Sequence, residues 1–178
     1  MPHVAVTAFG ADRPGIVAAA TKVFVERGCN LEDTSMTILR GHFAMMLIVD
    51  TPAGLTPGEL ERALAGPAAE LDLVVAVRAL DDEVPVSPPG EAWTVSVYGV
   101  DRPGIVHRIS ALLANESVNI VDLTTRVIGD QARPAYAMLL EVTVPAELDV
   151  EELGGRLRAL ASELGVECSL HASDADIL

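Results

Sequence analysis

The six residues Asp12 to Val17, DRPGIV, recur unchanged as Asp101 to Val106. Sliding the chain along itself by 89 positions also superposes Ile16 on Ile105, Asn30 on Asn119 and Asp33 on Asp122. Past the next turn an offset of 93 lays FAMMLIV, from Phe43, on YAMLLEV, from Tyr136, with Leu60 on Leu153 and Leu71 on Leu164. Like hydrophobic patterns specify like elements, so a chain of 178 residues that spells one pattern twice is expected to fold as two similar units. The second copy carries four extra residues, in the turn around Gly129 to Pro134, where insertion costs little.

Between the copies lies DDEVPVSPPGEA, Asp81 to Ala92, whose three prolines and four acids suit neither a helix nor a central strand. The expected organisation is therefore a first domain over residues 1–80, a linker over 81–92 and a second domain over 93–178.

Each unit has the same internal order. HVAVTAF (His3 to Phe9) and WTVSVYG (Trp93 to Gly99) alternate with the period of a strand. Ile16, Ala19, Ala20, Val23 and Phe24 then recur at helical spacing, as do Ile105, Ile109, Leu112 and Leu113, and Gly28 is placed to end the first helix in the left-handed conformation. A hairpin follows, from Asn30 to Leu39 and Phe43 to Asp50, bending at Arg40 to His42. Thr56 with Glu59 and Asp149 with Glu152 have capping-box spacing and Pro57 suits a first helical position, so a second helix begins in each unit. Its buried face in the second copy is Leu153, Leu157, Leu160 and Leu164. Closing strands are expected in LDLVVAVRAL (Leu71 to Leu80) and LGVECSLHA (Leu164 to Ala172). The order is βαββαβ, an α+β class with two ferredoxin-like units, each an antiparallel sheet with helices on one face.

Composition narrows function by exclusion. A net charge of −14 is repelled by phosphate backbones, and six aromatics leave little with which to stack bases, so direct nucleic-acid binding is not expected. No apolar run nears the ~20 residues of a membrane span and no signal-peptide pattern opens the chain, which points to a cytoplasmic protein. Cys29 and Cys168 lack metal-site or disulfide spacing and read as buried thiols. His3, His42, His107 and His171 form no pair at ligand spacing and flank no nucleophile motif; neither a metal, a cofactor nor catalytic residues are expected. Met45 and Met46 read as core filling, and the Asp81 to Glu83 run as a solvated linker.

The repeated loop is where chemistry is expected. Its acid stands where a helix cap could, its proline pre-sets the first turn, and its glycine clears a side chain where the helix opens, so free N–H groups and the helix dipole invite an anion such as a carboxylate. Close helix-to-strand packing is an equally good reason for Gly15 and Gly104. Asn30 and Asn119, each 18 residues after the loop aspartate, can donate and accept hydrogen bonds. They begin the strand at the far end of the helix, so they reach a loop only if units pair and a cleft forms between them. Arg13 and Arg102 read as solvated surface residues.

AFGADRPGIV (Ala8 to Val17) together with GCNLEDTSM (Gly28 to Met36), in a βαββαβ order repeated over nearly the whole chain, resembles the ACT family of amino-acid-binding regulatory domains. The spelling is most similar to the tandem-ACT family of glycine cleavage system transcriptional repressors, and the first unit also resembles the ACT domain of formyltetrahydrofolate deformylases, although a second ACT-like unit stands here where those have a catalytic domain. The resemblance implies a non-enzymatic, amino-acid-sensing regulator of glycine and one-carbon metabolism, acting as a homodimer through a regulatory protein partner, with glycine or serine as effector. The ligand-binding residues it implies are Gly10, Ala11, Asp12, Gly15, Ile16, Asn30 and Leu31 in the first unit and Gly99, Val100, Asp101, Gly104, Ile105, Asn119 and Ile120 in the second. The alternative is a ligand-independent docking adaptor that masks a transcription factor.

Overall fold

In the computed structural model the described residues are 2–80, 89–128 and 135–173. Two compact units, 1–85 and 86–178, each hold one sheet and two helices. The first runs β1 (His3–Ala11), α1 (Ile16–Glu26), β2 (Asn30–Leu39), β3 (His42–Asp50), α2 (Pro57–Glu70) and β4 (Leu73–Ala79). The second repeats this as β5 (Gly90–Gly99), α3 (Ile105–Asn115), β6 (Asn119–Ile128), β7 (Ala135–Pro145), α4 (Val150–Leu164) and β8 (Val166–Ala172). The sheets are ordered β2-β3-β1-β4 and β6-β7-β5-β8, antiparallel throughout, as the ferredoxin-like expectation requires.

Alternation makes each sheet one-sided. Val4, Val6 and Ala8 of β1 and Phe43, Met45, Leu47 and Val49 of β3 are buried, and they meet Ile16, Ala20, Val23 and Phe24 of α1 and Leu60 and Leu64 of α2 in one core. The second core repeats the plan with Val95, Val97, Met138, Leu140 and Val142 against Ile105, Ile109, Leu113, Leu153, Leu157 and Ala161. Leu160 and Leu164 pack at its margin instead of inside it, because the helix turns its small Gly154 and Ala161 toward the sheet. The other sheet face lies open. Met46, expected in the core, sits there at 52% exposure, since its neighbour Met45 already takes the inward position and side chains alternate.

One expected boundary is modified. β5 begins at Gly90, so residues 90–92, read as linker, pair with Thr143 to Pro145 of β7. The rest of that linker up to 88 and the longer turn at 129–134 lie outside the described residues.

Helices α1 and α3 end alike. The Gly28 and Cys29 N–H groups donate to the Val25 and Phe24 carbonyls at 3.1 and 2.8 Å, and those of Ser117 and Val118 to Ala114 and Leu113 at 3.0 and 2.9 Å. Both are Schellman closures around a residue at positive φ, +68° for Gly28 and +57° for Ser117. Only the first has the residue that adopts this conformation without steric cost. Ser117→Gly is therefore expected to stabilise the second unit by about 0.5–1 kcal/mol, the left-handed penalty relieved less the added chain entropy of glycine, read as a rise in the urea midpoint at unchanged slope.

Candidate functional site

The four helix beginnings fall into two kinds. At α2 the Thr56 hydroxyl accepts from the Glu59 N–H (3.3 Å) while the Glu59 carboxylate accepts from the Thr56 N–H (2.9 Å), a complete capping box. The Thr56 backbone and hydroxyl bonds hold the Glu59 carboxyl below its ordinary value. At α4 the Asp149 carboxylate accepts from the N–H groups of Glu151 and Glu152 at 2.9 and 3.2 Å, without the reciprocal half of a box. By contrast, α1 and α3 begin at Gly15 and Gly104 with no side-chain cap and no acid in the first turn. The expectation that Asp12 and Asp101 cap these helices is therefore corrected: both stand three residues too early, because the Pro-Gly turn intervenes.

The glycines also have a definite reason. Gly15 and Gly104 sit at φ of +98° and +97°, and a Cβ on either would meet nothing within 4 Å. Backbone conformation demands them; packing does not. A helix beginning without a side-chain cap and without an acid in its first turn favours a negative charge such as a carboxylate.

Around this turn the other expected residues divide by role. A Cβ on Gly10 would lie 2.5 Å from the Asp72 carbonyl oxygen, and one on Gly99 2.7 Å from Val166 Cγ1, so both glycines admit the close start of the neighbouring strand. Ala11 ends β1, and the Asp12 N–H donates to the Gly41 carbonyl (2.9 Å), tying the loop to the β2–β3 turn. Ile16 and Ile105 are only 2% and 1% exposed, which leaves their amides, not their side chains, to meet a ligand. In the second unit Gly99 and Val100 border a depression of about 560 Å³ with Tyr98, Ser162 and Gly165. Arg102 Nη1 lies 3.5 Å from the Leu164 carbonyl at the end of α4, so it leans on a helix terminus. Sequence reasoning passed over Tyr136, the counterpart of Phe43: burial, then the Asp101 carboxylate, push its phenol above the ordinary value.

Asn30 and Asn119 stand elsewhere. Asn30 pairs with Asp50, itself paired with His3 at the start of β1, whereas the loop follows Ala11 at its end. With eight residues of strand between, the separation is about 25 Å, and Asn119 opposite Thr143 repeats the arrangement. Leu31 and Ile120 follow at the same end as the asparagines. The loop and the asparagine of one unit cannot touch one small ligand.

The histidines are not all as isolated as their spacing suggests. His42 stacks on Phe9 with ring centroids 6.0 Å apart, while the sheet brings His3 beside Glu32 and Asp50. The cysteines are partly rather than fully buried; burial raises the Cys29 thiol and pushes that of Cys168 up to about 11, so both are poor nucleophiles at neutral pH.

Comparison with known proteins follows the two-unit division. The ACT domain model matches residues 3–78 and again 93–171. The glycine cleavage system transcriptional repressor of Escherichia coli is 30% identical over 172 residues, covering 95% of this chain and 89% of that protein. A crystal structure of an unknown protein from Galdieria sulphuraria superposes with a TM-score of 0.81 at 28% identity, over 97% of this chain and 98% of that one.

If the loop glycines serve conformation, Gly15→Ala and Gly104→Ala should each lower stability by about 1–2 kcal/mol in denaturant titrations. Asp12→Asn, which removes no cap, should change it by less than about 0.5 kcal/mol.

Proposed function

The chain belongs to the ACT domain family as a tandem pair with a regulatory role, and from that premise we propose that it is a non-catalytic, cytoplasmic sensor of a small amino acid, glycine or serine foremost. The observation that carries this reading is the contrast among helix beginnings: α2 and α4 are capped by their own side chains, and α1 and α3 are left open behind the repeated loop. An amino-acid carboxylate accepts from the amides at Gly15 to Val17, or Gly104 to Val106, while Asn30 and Asn119 supply mixed donors and acceptors. Since loop and asparagine lie at opposite ends of a sheet, a ligand touching both takes them from different copies of the unit, which a homodimer provides.

The open sheet faces support self-association. Phe9, Met46 and Val74 are 55%, 52% and 73% exposed on one side of the first sheet, around a depression of about 410 Å³. Apolar patches of this kind are covered by a partner. The same faces favour a second reading, an amino-acid-independent adaptor whose acidic surface meets a basic regulatory protein. The resemblance to the repressor supports glycine metabolism as the controlled process.

The sensor acts by differential affinity: an effector that prefers one packing tenfold biases it by about 1.4 kcal/mol. Calorimetry with glycine, serine and the other common amino acids should give saturable heat at micromolar to millimolar concentration. Asn30→Ala and Asn119→Ala should each weaken it roughly tenfold. No heat and no thermal shift with any amino acid removes the sensor reading; a captured protein partner indifferent to amino acids would favour the adaptor.

A further inference from the structure

We propose that His3, Glu32 and Asp50 form a binding site for a divalent cation of the Mn²⁺ or Zn²⁺ class on the open face of the first sheet. His3 Nδ1 lies 3.1 Å from Glu32 Oε2 and 3.2 Å from Asp50 Oδ1. Both contacts are ion pairs when His3 is protonated, between side chains 38% (His3), 39% (Glu32) and 18% (Asp50) exposed, yet the His3 Nδ1 and Asp50 Oδ1 atoms are themselves shielded from solvent and neither has a partner in hydrogen-bond geometry. Orphaned buried polar atoms this close to one another call for something between them. Around metal bonds of about 2.1 Å, adjacent donors stand about 3.0 Å apart in an octahedron and about 3.4 Å apart in a tetrahedron, and the observed separations fall between. One imidazole nitrogen with two carboxylates suits borderline and hard divalent ions, and offers too little soft character for copper(I).

The backbone prepares the cluster. Asp50 pairs with His3 across β1 and β3, placing both side chains on the face away from the helices. Glu32 is the extra residue of a β-bulge between Leu31 and Asp33, a device that re-aims a side chain out of the alternating pattern. The start of β1 is pinned, since the Pro2 carbonyl accepts from the N–H (3.0 Å) and hydroxyl (2.9 Å) of buried Thr51, and the His3 carbonyl from the Leu80 N–H (3.0 Å).

The second unit supplies an internal control. Its register pairs Ala92 with Thr143 and Thr143 with Asn119, and its own bulge falls between Ile120 and Asp122. The positions of His3, Glu32 and Asp50 are thus held there by Ala92, Val121 and Thr143. The same sheet and bulge form without any of the three donors, so the fold does not require them. They gather for another reason, and a bound ion satisfies all three at once.

The test uses the untagged full chain, stripped with chelator and titrated calorimetrically with MnCl₂ and ZnCl₂. One ion per chain is expected. His3→Ala, Glu32→Val and Asp50→Thr, the residues the second unit tolerates, should each weaken binding roughly tenfold or more, with unchanged circular dichroism. In imidazole NMR spectra Zn²⁺ should shift the His3 ring and leave His42, His107 and His171 in place, which decides the matter even if a variant fails to fold. No binding at millimolar metal, affinity unaltered in the folded variants, or a shift confined to another histidine overturns the site. Because metal rather than amino acid is the probe, none of these outcomes bears on the sensor reading.

Discussion

One-sided burial governs this structure. Each sheet turns alternate residues of its two central strands onto a pair of helices and leaves the other face open. That constraint sets register, because a one-residue slip of β3 against β1 would carry Phe43, Met45, Leu47 and Val49 into water and turn Asp50 toward the core. Burying a large apolar side chain contributes about 1.5–3 kcal/mol, so the loss from exposing four of them outweighs any compensating contact on the open face. With register settled, every other feature has its address. The DRPG loops leave the ends of β1 and β5, the asparagines begin β2 and β6 at the opposite edge, and His3 meets Asp50.

The helix beginnings of each unit follow two plans, one capped by side chains and one not. Where a helix serves only to cover the sheet, its first N–H groups are satisfied by its own chain, by Thr56 and Glu59 or by Asp149. Where the chain turns through Pro-Gly, no local oxygen reaches them and a left-handed glycine opens the approach. The tandem arrangement doubles this opening. The open cluster in the first unit, by contrast, is not doubled, so duplication preserved the scaffold while side chains on the open face diverged.

Much was legible before any fold was known. The order βαββαβ, the hairpin from Asn30 to Asp50, the Thr56 box and the Gly28 closure follow from period, capping chemistry and the steric freedom of glycine, all of which act within about five residues. The misreadings share a cause. By spacing alone Asp12 suits a helix cap as well as a ligand contact, because a single acid before a helix cannot be distinguished from one displaced by an intervening turn. Met46 reads as core from sequence because two adjacent methionines look alike until the strand's phase decides which points inward. Tyr136 beside Asp101 had no local signal at all.

What the sequence determined by itself is the doubled unit, its class and the location of its anomalous loop, since these rest on interactions between near neighbours and on a pattern that repeats. What only tertiary structure decided is which distant residues share a place: His3 with Glu32 and Asp50, and the asparagines some 25 Å from the loops they were grouped with. The physical reason is that antiparallel pairing sets a residue beside one dozens of positions away, by a register that the summed burial of whole strands selects and no short motif encodes.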